Sequence, residues 1–293
     1  MSEAGAAAAA GGSAFVDLHT HSTASDGILA PERVVETAKR CGLTAIALTD
    51  HDTIDGLAAA REAGERLGVR VIAAVELSAF LDGHEVHLLA LHLSKLDALE
   101  QRLRELRALR YSRGQRIVEK LNELGIAVTF EEVLQQSAGG AVGRPHVARA
   151  LMARGVVHDF REAFARYLGG NGAAFVPKEI LSLEDAISIA HEAGGLAIWA
   201  HPGDGGRRER LEPLVAAGLD GIEIRHPSHS REDMKRLEAL CGFFDLIPSG
   251  GSDWHGAEEG SRQLGSMNVP MEWLTRQDDK VASAAGAGGG QWK

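Results

Sequence analysis

The chain has 293 residues, 44% hydrophobic, 25% charged and 5% aromatic, a globular composition with room for one α/β domain and an insertion. Its 41 acidic residues outnumber 31 basic ones, giving a formal charge of −10. That balance excludes bulk wrapping of duplex nucleic acid, whose affinity comes from many Lys and Arg contacts to phosphate.

Residues 1–14 carry no Lys or Arg and an alanine block, and are expected to be a disordered tail rather than a targeting segment. No apolar run is long enough to span a membrane. Cys41 and Cys241 each precede a glycine and lie far apart, which suits a reducing cytoplasm better than a disulfide framework. Short apolar runs then alternate with amphipathic stretches. Strand Ala14–Leu18 leads to a helix over Pro31–Cys41, with Pro31 in its first turn and Gly42 after its end. Strand Ala45–Thr49, helix Thr53–Leu67 and strand Val69–Glu76 follow.

Here the alternation fails. Asp82-Gly83 signals a two-residue hairpin turn before strand Glu85–Leu91. With those residues as the turn, Leu81 faces His84 and Ser78 faces His87. Glu76 then lies diagonal to His87 on one face, while His84 points to the other. His87 is therefore the candidate ligand, His84 is set aside, and His92, near the strand's end, reads as structural.

Residues 96–176 interrupt the pattern for longer than an ordinary loop. Leu99, Leu103, Leu106 and Leu109, then Ile117, Leu121 and Leu124, recur at helical spacing, and helical pieces follow at Phe130–Gln136, His146–Arg154 and Asp159–Leu168. This predicts a small helical domain inserted as a cap. Its arginines at 102, 104, 107, 110, 113 and 116 read as a solvated helix face. Helix Leu183–Ala193, strand Leu196–Ala200, helix Arg208–Ala217, strand Gly221–Arg225, helix Ser230–Leu240 and strand Leu246–Ser249 complete the pattern. The Gly/Ala-rich end leads us to expect a flexible tail over residues 276–293. Residues 15–95 and 177–275 thus form an α/β barrel one unit short of eight, with chemistry expected where strands end.

At those ends stand His19-Thr20-His21, Asp26, His51, Glu76, His87, His201 and Asp253-Trp254-His255. Two imidazoles two residues apart on a strand leave one face and can chelate one ion. Imidazole with carboxylate and no thiolate suits borderline-to-hard divalent ions engaged in hydrolysis. Asp17 shares the face of His19 but lies deeper, where buried hydrogen bonding is expected. Arg144 and Lys178 are candidates to grip a second phosphate, against the alternatives of an interdomain ion pair and a solvated lysine. His226 follows the sixth strand and faces the mouth, so it is a candidate for touching substrate. His146 reads as a capping residue, and His158 and His191 as structural.

Taken together, Asp17-Leu18-His19-Thr20-His21-Ser22 with Asp26-Gly27, Thr49-Asp50-His51-Asp52, Glu76-Leu77-Ser78, Val86-His87-Leu88-Leu89, Ala200-His201-Pro202 and Gly251-Ser252-Asp253-Trp254-His255-Gly256 resemble the PHP (polymerase and histidinol phosphatase) family of metal-dependent phosphoesterases. Gly143-Arg144-Pro145-His146 and Val176-Pro177-Lys178 look like its branch of nucleotide bisphosphate phosphatases and 5′→3′ exoribonucleases. The resemblance implies a distorted (β/α)7 barrel with two or three divalent ions, manganese foremost and iron or zinc as alternatives. It implies that Glu76 bridges two ions. His19, His21 and Asp253 would complete one site, His87 and His201 a second, and Asp26, His51 and His255 a third.

The expected activity is hydrolysis by a metal-bridging hydroxide, held by Glu76, His201 and Asp253, acting on nucleoside 3′,5′-bisphosphates or short 5′-phosphorylated oligoribonucleotides. Small phosphorylated substrates, not duplexes or membranes, are the expected partners. A histidinol-phosphate phosphatase or a cyclic sugar-phosphate phosphodiesterase would use the same chemistry. A non-catalytic, metal-stabilised interaction module is the rival of another class. A hydrolytic deaminase or amidase also uses such paired histidines, but Asp26, His51 and Glu76 suit several ions better than one.

Overall fold

A computed structural model describes residues 15–137, 142–177 and 181–286. The strands are β1 (Phe15–Thr20), β2 (Ala45–Leu48), β3 (Arg70–Leu81), β4 (His84–Leu91), β5 (Leu196–Trp199), β6 (Gly221–Arg225), β7 (Ile247–Gly250) and the short β8 (Val269–Pro270). They form one sheet in the order β7-β6-β5-β4-β3-β2-β1-β8. Parallel bridging of Thr20 to Trp254, with His21 N donating to Trp254 O at 2.8 Å, ties the segment after β7 to β1 and brings the sheet round into a distorted (β/α)7 barrel.

Two pairings, β3 with β4 and β4 with β5, are antiparallel. The cause is the Asp82-Gly83 turn, whose φ values of 52° and 78° are both positive, as a type I′ hairpin requires. The register pairs Leu81 with His84 and Ser78 with His87, as the turn position predicts. Running backwards between β3 and β5, β4 brings His87, near its own start, to the barrel end where the other strands finish.

Alternation along the strands separates two packing layers. Ile46 and Leu48 meet Val34, Val35 and Ala38 of α1 (Pro31–Arg40) and Ala60 and Ala63 of α2 (Leu57–Leu67). Val75, Leu77, Leu88 and Ala90 meet Leu183, Ile187 and Ala190 of α7 (Leu183–Glu192). Ile72, Ala74, Leu89, Leu91, Ile198 and Ile247 pack together as a separate core beneath the mouth. Helix α2 starts later than its periodicity suggests, because Thr53 Oγ1 accepts from Asp55 N at 3.2 Å and Leu57 N bonds to Ile54 O, closing turns before the helix.

The insertion carries α3 (Leu96–Glu123), α4 (Phe130–Ser137), α5 (Arg144–Ala153) and α6 (Phe160–Ala163), the last continued by a π-helical turn over Phe164–Leu168. The two leucine-rich stretches are one 28-residue helix. Its Leu99 and Leu103 enter the barrel-side core, whereas Ile117, Val118 and Leu121 enter a separate core with Val147, Leu151 and Leu168. One helix therefore links two cores.

The barrel is completed by α8 (Arg208–Ala216), α9 (Arg231–Phe243) and α10 (Met271–Gly286). The expected tail from residue 276 is corrected here, because α10 runs through that point. Leu274 and Gln277 are fully buried, Val281 packs against the same core, and Arg70 pairs with Asp278 at 2.6 Å. Burial of that stripe outweighs the Gly/Ala-rich composition of the chain's end that suggested disorder. The expected N-terminal tail, residues 1–14, lies outside the described residues. Among the described residues no helix is long and apolar enough to cross a membrane.

Candidate metal centre at the barrel mouth

Strand β1 presents Asp17, His19 and, just past its end, His21 on one face, and all three are buried. Asp17 acts as a strut. It accepts from His19 N at 3.3 Å, Ser252 N at 2.9 Å, Ser252 Oγ at 2.6 Å and Gly265 N at 2.8 Å. The loop after β7 is thereby laid against β1. Only glycine fits at 251, where a Cβ would meet His19 Cβ at 2.4 Å. Behind His19, Nδ1 faces Glu223 Oε1 at 3.1 Å, and the other oxygen of Glu223 accepts from His201 N at 2.7 Å. Glu223 so orients two candidate ligands, turning His19 Nε2 toward the mouth.

Glu76 stands at the centre. Its Oε2 lies 3.2 Å from each of His19 Nε2, His21 Nε2 and His51 Nδ1. Its Oε1 lies 2.9 Å from His87 Nδ1 and 3.1 Å from His201 Nε2, and those two imidazoles are 3.2 Å apart. Asp253 Oδ1 is 3.4 Å from His19 Nε2 and 3.3 Å from His21 Nε2. Further out, Asp26 approaches His255 Nε2 at 3.2 Å, His21 Nδ1 at 3.8 Å and His51 Nε2 at 3.9 Å. All the metal-ligand candidates read from the sequence converge in one cluster. His51 straddles its central and outer parts.

The donors suit cations. Among the described residues, His19 Nε2, His21 Nδ1 and Nε2, His51 Nδ1 and Glu76 Oε2 are buried without any hydrogen-bond partner. Leaving such atoms unpaired is costly, and an ion would satisfy them. Donor-to-donor spacings near 3 Å are also what an ion about 2.1 Å from each donor demands. Four groupings lie within ion-binding reach: His19, His21, Glu76 and Asp253; His51, Glu76 and His87; His21, Asp26, His51 and His255; and His19, Glu223 and His226.

Electrostatics follow from this crowding. Burial alone would deprotonate His19 and His21, but the carboxylates around them prevail. Glu76, Glu223 and Asp253 hold His19 well above its ordinary value, and Asp253 and Glu76 raise His21 to about 9. Desolvation, with His21 and His87 beside it, lowers the partly exposed His51 to about 4 despite Glu76. Burial opposes ionisation of Glu76, Asp253 and Asp26, yet the surrounding imidazoles hold all three below the usual carboxylate range. His201, Asp253 and Asp52 all adopt positive φ, a conformation that non-glycine residues keep only where surrounding structure enforces it.

Beside the cluster a cleft of about 240 Å³ opens between barrel and insertion. Asp26, His51 and His87 form one wall, and Arg110, Arg113, Arg144 and Phe164 stand among the residues opposite. Arg144 lies 3.7 Å from Glu85 and over the Phe164 ring, so it lines the cleft while making the interdomain ion pair that the sequence left as its alternative. Lys178 lies outside the described residues. His226 is buried, with Nδ1 2.7 Å from Ser228 Oγ and Nε2 3.4 Å from Asp253 Oδ2, on the cluster's other side. His146 caps its helix by accepting from Gly143 N at 3.0 Å. His92 meets Gln277, and His191 meets Asp220.

The solvated-face expectation holds for Arg102, Arg104 and Arg116, which are exposed, and is corrected for the rest of the run: Arg107 and Arg110 turn toward the barrel at Asp52, and Arg113 is buried, donating to Val176 O at 2.9 Å. Sequence reading also missed Glu223 and Arg262, which pairs with Asp253. The available signal for Glu223 was a lone carboxylate between the apolar Ile222 and Ile224 of the Gly221–Arg225 strand.

Comparison with known proteins agrees with this geometry. A model of the PHP domain matches residues 17–174. The chain is 37% identical to a 3′,5′-nucleoside bisphosphate phosphatase of Chromobacterium violaceum over 86% of its own length and 91% of that protein. It is 37% identical to a 5′-3′ exoribonuclease of Haemophilus influenzae, covering 82% and 89%. It is also 37% identical to a phosphoribosyl 1,2-cyclic phosphate 1,2-diphosphodiesterase of Eggerthella lenta, covering 82% and 94%. Among solved structures, a Bifidobacterium adolescentis protein described as a metal-dependent phosphoesterase superposes with a TM-score of 0.76 at 32% identity, covering 90% of this chain and 95% of the other.

Proposed function

The chain belongs to the PHP domain family, and we propose that it hydrolyses phosphate esters of small nucleotides, using two or three divalent cations with manganese foremost. The preferred reactions are loss of the 3′-phosphate from nucleoside 3′,5′-bisphosphates and 5′→3′ trimming of short 5′-phosphorylated oligoribonucleotides. The observation that carries this reading is Glu76 Oε2 set 3.2 Å from three buried imidazole nitrogens.

We assign His19, His21, Asp26, His51, Glu76, His87, His201, Asp253 and His255 as ligands, with Glu76 shared between ions. Ions held there would polarise phosphoryl oxygens and make water acidic enough to supply a nucleophile near neutral pH. The chain's own groups set the geometry. Glu223 holds the ring of His19, and His229 accepts from Gly203 N at 3.1 Å, steadying the turn that follows His201. His226, lowered by burial, stands neutral where it can contact the reacting group.

Residues 96–176 act as the cap, and their cleft selects the substrate. Burial and the neighbouring Arg144 and Arg110 pull Arg113 down to about 10, so it remains a cation at neutral pH among other cations. A second phosphate on the substrate would relieve that repulsion, with guanidinium forks matching its oxygens. Phe164 and Val142 add apolar surface beside them. An overall charge of −10 disfavours duplexes while leaving this local positive cleft for a short anion. Free Cys41 and Cys241 suit the cytoplasm.

The test is phosphate release by the manganese-loaded protein from adenosine 3′,5′-bisphosphate, 5′-phosphorylated oligoribonucleotide, histidinol phosphate and a cyclic phosphoribose ester in parallel. The bisphosphate should be cleaved fastest, leaving the 5′-monophosphate. Preference for histidinol phosphate or the cyclic ester would replace the substrate assignment. Inertness of ion-loaded protein toward every ester would leave a non-catalytic module.

A further inference from the structure

We propose that Arg110 is a positioning residue through which the insertion holds the His51 loop, and with it the outer cation site of Asp26, His51 and His255. The inference rests on the metal reading above and concerns residues outside the proposed ligand set.

His51 lies on a loop between β2 and α2, bridged in parallel to Glu76 of β3 rather than carried within a strand as His19 is by β1. Its neighbour Asp52 supplies the side-chain ties. Asp52 is 1% exposed at a φ of 50°, and its N donates to Glu76 O at 3.0 Å. Its carboxylate accepts from Ser78 N and Ser78 Oγ, each at 3.0 Å, and pairs with the Arg110 guanidinium. Arg107 donates to Asp52 O at 3.1 Å and is itself held by Glu100 at 2.6 Å.

The ligand loop is therefore pinned from the barrel by β3 and from the insertion by α3. Helix α3 can serve as a fixed bar because Leu99 and Leu103 anchor it in one core and Ile117 and Leu121 in the other. A buried carboxylate left without its cation is strongly unfavourable, so loss of Arg110 would displace Asp52 or draw in water. The outer site would suffer most. His19 and His21 are fully buried near β1, whereas Asp26, His255 and His51 are 44%, 34% and 22% exposed. Arg110 also lines the substrate cleft, so an anion there would bear on the same loop.

The experiment is manganese titration of metal-free protein by calorimetry, with elemental analysis after dialysis, on wild type, Arg110→Met and Arg110→Lys. Arg104→Ala, at an exposed position of α3, is the control. Arg110→Met should weaken the most loosely held ion about 10- to 100-fold, the usual effect of removing a residue that supports a metal ligand, and leave the tighter ions unchanged. Its kcat should fall more than its KM changes, and Arg110→Lys should recover part of both. Should Arg110→Met fail to fold, Asp52→Asn is expected to show the same selective loss, since it keeps the Ser78 contacts and removes the charge. Wild-type stoichiometry and affinity in the folded variant, or equal weakening of every ion with a lowered Tm, would overturn the proposal. Wild-type protein taking up no ion would instead sink the metal reading and this inference with it.

Discussion

The barrel mouth and the helical insertion both direct charge into one cavity, but by different means. At the mouth, His19, His21 and Glu76 sit at most 1% exposed, fixed by strand pleat and by buried carboxylates such as Asp17 and Glu223. In the insertion, Arg144 reaches the cleft from helix α5 on a flexible stem and stays partly exposed. Strand-borne ligands with buried supports suit chemistry that tolerates little displacement, and long helix-borne cations suit recognition of a substrate that varies. On the proposed function, the contrast would assign turnover to the mouth and selection to the insertion.

The largest expected effect comes from breaking the mouth. Asp253→Ala or His201→Ala should lower turnover by several orders of magnitude while circular dichroism stays that of the folded chain. Near-normal phosphate release by either purified variant contradicts the assignment. A finer cut is Glu223→Gln, which keeps the shape behind His19 and removes the charge. Metal affinity should drop about 10- to 100-fold by calorimetric titration, because that carboxylate orients the ligand.

The insertion should fail differently. Arg144→Ala is expected to raise KM for a nucleoside bisphosphate about 10- to 100-fold, as loss of roughly 1.5–3 kcal/mol of charge-assisted bonding implies. The same variant should cleave a nucleoside 3′-monophosphate as well as wild type does. Equal damage on both substrates would merge the two roles separated here.

The smallest effect is one of pH on the metal-free protein. His21 is raised from 6.5 to about 9 by Asp253 and Glu76, so its contribution to stability is complete below pH 6.5 and disappears as pH rises through about 9. Urea unfolding should therefore show metal-free protein losing stability across that window. Manganese-loaded protein should resist, since cations replace the protons, and manganese uptake should tighten with rising pH. A flat profile without metal would show that the carboxylates do not hold protons on the histidines.

Much of the mouth was legible in the linear chain because strands encode direction simply. Residues two apart share a face, so His19 with His21 could be read together, and the Asp82-Gly83 turn set Ser78 opposite His87 by counting. Hydrophobic runs and capping signals likewise marked most helices and strands to within a few residues. Packing decided the rest. Glu223 counted as an ordinary strand residue until β6 was placed beside β5, where its oxygens meet His19 and His201. The arginines of α3 looked alike in sequence, and only docking of that helix across two cores sent Arg102 to solvent and Arg113 inward. Helix α10 was masked by the Gly/Ala-rich composition of the chain's end, and burial of Leu274 and Gln277 against the barrel is what reveals it. Local order follows from neighbours along the chain, whereas a charged side chain's partner is chosen by whichever distant element folding brings within a few ångströms.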